Sequence, residues 1–405
     1  MAILDLDPRA NQPFTDWQGR WIVFNGEIYN FRELRAELSR LKPDYVWRTT
    51  CDTEVLLVAY DVWGGDCVRR LEGMFAFAIW DEPGGALLLA RDRMGQKPLY
   101  VARSEIPTEG EGKGPKCAAI AFASEVQALF PLEWTRRGID QRGLVEYLAW
   151  GHTSFARSIY RGIDQLAPGS IQVAVDREVS PGIAYWPEEG FPGGRVQQEM
   201  SDTQAVASTR ELVSRAVRQQ LIADVPIGCF LSGGVDSSVV AAAMKASVPA
   251  GQSVLTFSIG FDDPRYDESE FAAEVASHLG TEHRQFVVRP DAAADLPTIA
   301  QAFGEPFGDS SALPTWYLAR ETRRHVKVAL SGDGGDELFG GYDRYRAMVL
   351  GRKLRAALTP AAWAVVAPML RQLPGGHPKS SWERGRRLAG SLGMASARRY
   401  ASYLR

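Results

Sequence analysis

Short apolar runs dominate the first half of the chain. They read WIVFNG, MFAFAIWD, ALLLARD and IAFASE, and each ends at glycine or polar residues. Runs of this length with such punctuation predict β-strands. Two segments keep helical spacing instead: one carries Phe31, Leu34 and Leu38, and the other is DTEVLLVAYDVW, with Asp52 as its expected N-cap. The first half is therefore predicted to be a mixed α and β domain.

The second half alternates between strand-like and helix-like segments. Helix-like ASTRELVSRAVRQQL is followed by the strand-like runs VPIGCFL, VLTFSIGF, HRQFVV and HVKVAL, which are separated by helix-like segments such as SEFAAEVASHLG. Strands that alternate with helices predict a parallel sheet with crossover helices. The tail beyond about residue 350 is helix-like, and we expect its arginines to lie on solvated helix faces. They are Arg384, Arg386, Arg387, Arg398 and Arg399.

A stretch without periodicity separates the halves. PEEGFPGGRVQQEMS combines proline, glycine and charge, which is the composition of a linker. We therefore predict a first domain over residues 1–190, a linker over 191–204 and a second domain over 205–405. This corresponds to two domains, one α+β and one α/β, in a chain of 405 residues.

Composition narrows the choice of partners and compartment. Lys and Arg number 46 against 49 Asp and Glu, and a net charge of −3 gives no long-range attraction to nucleic acid or to an acidic membrane. The 4 cysteines have no zinc spacing and are too few for a disulfide scaffold. The start, MAILDLD, has acids where a signal peptide needs basic residues. We expect a cytoplasmic protein without nucleic-acid or membrane partners.

The loop SGGVDSS follows the strand-like VPIGCFL and precedes a helix-like segment. Glycines let the backbone approach an anion closely, and a loop that feeds a helix directs several N–H groups to one place. The loop lacks the lysine of a Walker motif. Asp236 favours phosphate binding only if a metal ion lies between the two charges. The alternative is a glycine-rich turn with serine caps.

A second loop of the same kind occurs at SGDGGDELFGGY, again directly after a strand-like run. It offers Asp333, Asp336 and Glu337. If the two strands are neighbours in the sheet, Asp236 and Asp336 are expected to share Mg²⁺ on the phosphates of a nucleotide. The alternative is a solvated glycine-rich turn.

With these two motifs, residues 205 to 345 resemble the synthetase domain of the glutamine-dependent asparagine synthetase family, whose loop is that of the ATP pyrophosphatases. The resemblance implies that Asp236 binds metal and that Asp333, where many members have glutamate, takes part in adenylate formation. It also implies nucleoside contacts and a pyrophosphate-binding loop. The nucleoside contacts are Leu231, Ile259, Ser331 and Gly332, and the pyrophosphate residues are Ser232, Gly233, Gly234, Asp236, Ser237 and Ser238.

The first half resembles the glutaminase domain of class II amidotransferases, an N-terminal-nucleophile αββα sandwich. The motifs are FNGEIYN, CDTEVLL, GMFAFAIWD, RDRMGQKPLY and FASEVQAL. By resemblance, Asn25 and Gly26 form an oxyanion hole, and Glu27 and Asp52 hold the ammonium group of glutamine. From the residues alone, NGE is equally well a turn and Asp52 a helix cap. Lys97, beside Gly95 and Pro98 in a hairpin pattern, is expected to be structural.

The chain departs from the family pattern at both ends. The family's glutaminase uses an N-terminal cysteine whose own amine activates the thiol, whereas residue 2 is Ala and Cys51 is internal. MAILDLD resembles a family segment that normally lies several dozen residues into the chain. Two features of the family's later helical region, an R-x-P-F-L-D-like segment and a lysine near the reacting carboxylate, do not appear either. We therefore expect both domains to be incomplete and glutamine hydrolysis to be absent.

The resemblance implies an ATP-dependent ligase that forms AMP and pyrophosphate while it amidates a carboxylate. ATP and Mg²⁺ are the expected cofactors, and the partners are small molecules: the carboxylate, and glutamine or ammonia. Aspartate is the default acceptor, with a sugar acid of surface-polysaccharide biosynthesis as the alternative. An inactive fragment and another ATP pyrophosphatase reaction also stay open, as does a homodimer. The segment with Asp309, Ser310 and Ser311 is either a cover over pyrophosphate or a polar loop.

Overall fold

The structure is a computed structural model of the chain. It describes residues 3–16, 18–106, 116–135, 137–176, 178–186, 200–249, 251–262, 267–289, 291–356, 360–372, 374 and 381–404. Residues 191–199 of the predicted linker lie outside the described residues. The chain divides into two compact units, Met1–Ser331 and Gly332–Arg405.

The first half of unit 1 is built on two antiparallel sheets. Its strands are β1 (Phe14–Thr15), β2 (Arg20–Ile28), β3 (Gly73–Asp81), β4 (Ala86–Arg91), β5 (Tyr100–Ile106), β6 (Lys116–Ala123), β7 (Ile163–Gln165), β8 (Ser170–Val175), β9 (Glu178–Val179) and β10 (Ile183–Ala184). Its helices are α1 (Phe31–Leu41), α2 (Asp52–Trp63) and α3 (Gln141–Trp150). One sheet has the order β1-β2-β3-β4-β8-β10, with β9 on β8, and the other has the order β6-β5-β7.

These elements pack in layers. Helices α1 and α2 cover one face of the larger sheet, where Leu38 and Leu57 are fully buried against Phe77 and Ile79. A second apolar cluster, with Leu89 and Val101 at its centre, joins the two sheets face to face. Burial of each such side chain contributes roughly 2 kcal/mol. A short 3₁₀ turn, Val126–Leu129, packs on the far side of the smaller sheet.

The second half of unit 1 holds a four-stranded parallel sheet. Its strands are β11 (Ile227–Phe230), β12 (Leu255–Phe261), β13 (Glu282–Val288) and β14 (Val328–Leu330). Its helices are α4 (Asp202–Gln220), α5 (Val235–Ser247), α6 (Ser269–Leu279), α7 (Ala292–Phe303) and α8 (Ala312–Thr322). The strand order is β13-β12-β11-β14, and every pairing is parallel.

Chain order reverses in this sheet between β11 and β14. Strand β11 comes first in the chain, and it lies between β12 on one side and β14 on the other. In open parallel sheets, ligands bind beyond the carboxyl ends of the strands where the order reverses. The sheet thus singles out Leu231 and Ser331, the residues that follow these two strands.

Unit 2 is helical in its described residues. It consists of α9 (Gly335–Phe339), α10 (Asp343–Arg355), α11 (Pro360–Arg371), α12 (Ser381–Ser391) and α13 (Ser396–Tyr403). The expectation of solvated arginines is wrong for Arg399, which is 2% exposed. Arg386 is partly exposed, and its guanidinium donates two hydrogen bonds to the nearly buried carboxylate of Glu383. The α13 helix packs on α10, and this packing takes Arg399 out of water.

Most elements expected from the apolar pattern are present, including the parallel sheet with its crossover helices. One local prediction is wrong, because the N-cap of α2 is Cys51 and Asp52 is its first helical residue. The Asp52 carboxylate accepts a hydrogen bond from the N–H of Ile28, at 2.9 Å. It therefore ties the helix to the end of β2 instead of capping the helix. No helix in the described part of the chain is long and apolar enough to cross a membrane.

Candidate functional site

The SGGVDSS loop begins directly after β11. Gly233 has a φ of +79°, which favours glycine, and a Cβ atom there would lie 2.6 Å from the carbonyl carbon of Phe271 in α6. The α5 helix then begins at Val235 without a side-chain cap. The first N–H groups of a helix have no partner within it, so this end can donate hydrogen bonds to an anion, as the sequence predicts.

The three serines of the loop hold its shape. The hydroxyl groups of Ser232 and Ser237 lie 3.0 Å apart, and the Ser237 hydroxyl donates to the carbonyl of Gly234 at 3.2 Å. Ser238 donates to the same carbonyl at 2.7 Å. Asp236, the second residue of α5, is partly exposed at this helix end. The backbone N–H groups at this helix end can bind an anion. The Asp236 carboxylate can bind a cation that lies between it and that anion.

The second loop begins at Ser331, and Gly332, Asp333 and Asp336 belong to unit 2. Within unit 2, Gly334 has a φ of +87° and the N–H of Gly335 donates to the carbonyl of Gly332 at 3.2 Å. A shared metal site of Asp236 and Asp336 stays a prediction. No group of three or more His, Cys, Asp or Glu side chains in the described residues is arranged to hold a metal by itself. This is compatible with Mg²⁺, which binds through one or two carboxylates together with substrate phosphates.

Two of the predicted nucleoside contacts, Leu231 and Ile259, lie at different positions relative to the ends of their strands. Leu231 directly follows β11, and its N–H donates to the carbonyl of Phe257 at 2.8 Å. Ile259 lies inside β12, because that strand continues to Phe261. A cavity of about 440 Å³ lies between β13 and α8, and none of the predicted site residues lines it.

The predicted glutamine-binding residues lie on β2 and at the start of α2. The Asn25 amide donates to the hydroxyl of Ser124 at 3.0 Å. Gly26 has a φ of +157°, and a Cβ atom there would be 2.1 Å from the carbonyl oxygen of Met74 on β3. Only glycine therefore fits this close approach of β2 to β3. Asn25 and Glu27 lie on the same face of β2, since side chains alternate along a strand.

Two carboxyl groups among the predicted glutamine-binding residues have raised pKa values. Burial raises the pKa of Glu27 to about 8, with a further rise from Asp52 and an opposing effect of Lys97. Burial raises the pKa of Asp52 to about 6, against the lowering effect of its backbone hydrogen bonds. A cationic group beside these carboxyl groups would stabilise the ionised form of both acids.

Lys97 is a residue that reasoning from the sequence assigned to structure alone. Its backbone is indeed fixed: its N–H donates to Asp92 at 2.9 Å, and its carbonyl accepts from Arg91 at 2.9 Å. The ammonium group nevertheless lies close enough to lower the pKa of Glu27. The sequence shows only that Lys97 is a cationic residue in a tight turn after a buried strand. It does not show which charged groups lie near its ammonium group.

His283 lies near the start of β13, between two hydroxyl groups. Its ring nitrogens are 3.0 Å from the hydroxyl oxygens of Thr256 and Ser258. Burial lowers the pKa of the imidazole. Both ring nitrogens are thus engaged within the sheet.

In a comparison with known proteins, each half of the chain matches a family model. The family model of the glutamine amidotransferase domain matches residues 1–186, and that of asparagine synthase matches residues 208–405. The fold and the matches define a protein that joins an amidotransferase domain to a synthetase domain. The chain belongs to the glutamine-dependent asparagine synthetase family.

Individual relatives are consistent with this. "Asparagine synthetase [glutamine-hydrolyzing] 1" of Bacillus subtilis is 35% identical over 349 residues, which are 85% of this chain and 51% of the relative. "Amidase chry2" of Gibberella zeae is 30% identical over 365 residues, 86% of this chain and 51% of the relative. The chain thus spans about half the length of these relatives. A solved glutamine phosphoribosylpyrophosphate amidotransferase from B. subtilis covers 71% of this chain and 52% of its own, with 15% identity and a TM-score of 0.28, too low to argue from.

Proposed function

We propose that the chain binds ATP at the carboxyl ends of β11 and β14 and uses it to amidate a carboxylate. The carboxylate attacks the α-phosphorus of ATP, and pyrophosphate leaves. Ammonia then attacks the acyl carbon of the mixed anhydride, and AMP leaves with the electron pair of the broken bond. Mg²⁺, when bound, neutralises phosphate charge.

The observation that carries this proposal is the place of the SGGVDSS loop. It follows β11 at the point where strand order reverses, and it feeds a helix of 13 residues that has no side-chain cap. Pyrophosphate is assigned to the backbone and hydroxyl groups of this loop. Asp236 and Asp336 are assigned to Mg²⁺, and Asp333 to adenylate formation. The assigned loop residues are Ser232, Gly233, Gly234, Ser237 and Ser238; the nucleoside is assigned to Leu231, Ile259, Ser331 and Gly332.

The first half is assigned to glutamine binding. The two carboxyl groups with raised pKa values, Glu27 and Asp52, are assigned to the α-ammonium group, and Asn25 with Gly26 to the oxyanion hole. The raised values support this assignment, because an amine that binds there gains an ion pair in a desolvated pocket. Asparagine synthetases among the relatives support aspartate as the acceptor.

Exchange of labelled pyrophosphate into ATP tests the proposal. We expect exchange that depends on aspartate and that falls at least about 100-fold in Asp236→Asn, which keeps the side-chain shape. Asp202→Asn, at the exposed start of α4, is the matched control and should exchange normally. Exchange that depends on a uronic acid and not on aspartate would mean that the acceptor is a sugar acid. Nucleotide binding without exchange under any carboxylate would support the inactive fragment.

A further inference from the structure

Strand β13 lies at an edge of the parallel sheet. Among the described strands it pairs with β12 alone, in an unbroken register of seven residue pairs. The N–H of Glu282 donates to the carbonyl of Val254 at 2.9 Å, so the backbone groups of residue 282 point toward β12. Because successive residues of a strand point to opposite sides, the N–H and carbonyl groups of Gln285 and Val287 point outward. They have no strand partner among the described residues, and such an edge can pair with another extended chain.

The two halves of this edge differ in charge. The first half carries Glu282 and Arg284, whose side chains form an ion pair at 2.9 Å. Charged side chains of this kind keep an edge strand from pairing with another chain. The second half, residues 286–288, is apolar, and Val287 is 64% exposed. The second half is therefore the part of the edge that is open to a partner.

The cavity of about 440 Å³ lies against this second half. Its walls are the residues of β13 from Gln285 onward and, across from them, Tyr317, Arg320 and Glu321 of α8. These three residues lie on one face of α8, since they are three and four positions apart. The hydroxyl of Tyr317 donates to the carboxylate of Asp295, which fixes α8 to α7. The unpaired backbone groups of β13 thus border a cavity in the size range of ligand sites.

The charged groups along the cavity favour an acidic ligand. Two guanidinium groups, of Arg289 and Arg320, line it together with the carboxylate of Glu321. Glu321 already accepts from Arg320 at 3.1 Å and from Arg324 at 2.5 Å. Arg289 pairs with Asp262 at 2.9 Å, but both side chains are more than half exposed, and a pair of this kind contributes at most about 1 kcal/mol. A ligand carboxylate can therefore replace Asp262 at little cost.

Arg320 is held in place before any ligand arrives. Its guanidinium lies 4.7 Å from the ring centroid of Trp316 and 4.8 Å from that of Tyr317. Its side chain is nevertheless 41% exposed. A guanidinium that is both fixed and accessible loses little conformational entropy when it pairs with a carboxylate.

We propose that β13 and α8 bind an extended acidic peptide segment, which adds to the sheet as a strand beside residues 285–289. Its backbone pairs with the outward groups of Gln285 and Val287. Because side chains alternate along a strand, acids at every second position lie together on the α8 side, near Arg289 and Arg320. None of the residues assigned to ATP or to glutamine lines the cavity, so this binding is independent of the proposed function.

Fluorescence anisotropy with the full chain tests the proposal. The probe is the peptide Val-Glu-Val-Glu-Val with fluorescein at its amino end and an amide at its carboxyl end. We expect saturable binding with a Kd of about 100 μM or tighter, and at least about tenfold weaker binding of the matched peptide with lysine in place of glutamate. Two further probes carry an N-methyl group, one on the central valine and one on a neighbouring glutamate. One of them should lose binding and the other should keep it, because alternate N–H groups point away from β13.

Variants of the chain test the same contacts from the other side. Val287→Pro removes an outward N–H and leaves the pairing with β12 in place, since proline is tolerated where an edge N–H faces solvent. It should weaken binding at least about tenfold, whereas Val287→Ala, which keeps the N–H, should bind within about twofold of the parent. Arg320→Gln should weaken binding about fivefold or more. Arg323→Gln, exposed at the end of α8 and outside the cavity lining, is its matched control and should bind normally.

Four results overturn the inference. They are no binding of the acidic peptide, equal binding of the acidic and basic peptides, N-methylation that is tolerated at both positions, and equal binding by Val287→Pro and Val287→Ala. Circular dichroism of each variant shows that a loss of binding is not a loss of folding. Light scattering tests the other occupant: a parent chain that is a dimer and becomes a monomer in Val287→Pro would assign the edge to a second copy and would also overturn the inference.

Discussion

Gly233 and Phe271 lie so close that a Cβ atom on Gly233 would come 2.5 Å from the Cβ atom of Phe271. The glycine thus lets the loop after β11 pack directly on the first turn of α6. The loop is held against a helix on one side and continues into α5 on the other. Its shape is set by packing before any anion arrives, which reduces the entropy cost of binding.

Gly233→Ala should therefore be much more harmful than alanine at a glycine with a similar φ in open space. Gly251, with a φ of +88°, has no neighbouring atom within 4 Å and is the matched control. Alanine at Gly251 has only the positive φ to accommodate, at about 1 kcal/mol. At Gly233 it must also displace backbone atoms of α6, which should add about 2 kcal/mol or more. Urea unfolding measures both, and equal losses would contradict the close contact.

Asp52 allows its two roles to be separated. Asp52→Asn retains an oxygen that accepts from the N–H of Ile28, whereas Asp52→Ala leaves that buried N–H without a partner. The free energy of unfolding should fall by about 1–3 kcal/mol in the alanine variant and by less in the asparagine variant. Both variants lose the charge, so both should weaken glutamine binding at least tenfold. Equal stability of the two variants would show that the hydrogen bond to Ile28 contributes nothing.

Glu27 predicts a pH dependence of stability. Its carboxyl group stays protonated up to a pH of about 8 in the folded state but ionises near its ordinary value of 4.5 in the unfolded chain. Between these values the folded state binds more protons, so the free energy of unfolding falls as pH rises, by at most about 1.4 kcal/mol per pH unit. Glu27→Gln should flatten this decline, whereas the contribution of Asp52, up to a pH of about 6, should remain.

Glu33→Gln, on the exposed surface of α1, is the control and should keep the parent's slope between pH 5 and 8. Parallel curves for the parent and Glu27→Gln would mean that Glu27 is solvated in the folded protein. The affinity for glutamine, measured over the same pH range, should rise with pH as Glu27 ionises.

The alternation of strands and helices was predictable because each element has its own apolar period. The strand order was not, since it depends on which long-range pairings form. The sequence identified the loops after β11 and β14, and only the register of Cys229 with both Thr256 and Leu330 shows β11 between β12 and β14. Pairings of this kind have no local signal in the residues that make them.

The candidate site was predictable where a residue type is demanded by the backbone. Gly26 and Gly233 are needed at close approaches, and both were chosen from the sequence. Asp52 was predicted as a helix cap, and this failed because its carboxylate accepts a hydrogen bond from the N–H of Ile28, the last residue of β2. The backbone of Lys97 is held as expected, but a local turn pattern does not show which charged groups lie near its ammonium group.

Arg399 gives the last prediction. Its guanidinium is buried next to Gly351 of α10 and Leu392, and its Nε and Nη1 atoms make no hydrogen bond with the described residues. A buried guanidinium with two unpaired nitrogen atoms destabilises a fold, and an apolar side chain of similar length can replace it without loss. Arg399→Met should therefore leave the free energy of unfolding unchanged or raise it, whereas Arg399→Ala should lower it by about 2–4 kcal/mol through the cavity it leaves. Denaturant unfolding of the full chain compares the two. A methionine variant as unstable as the alanine variant would mean that the guanidinium itself holds α13 to α10.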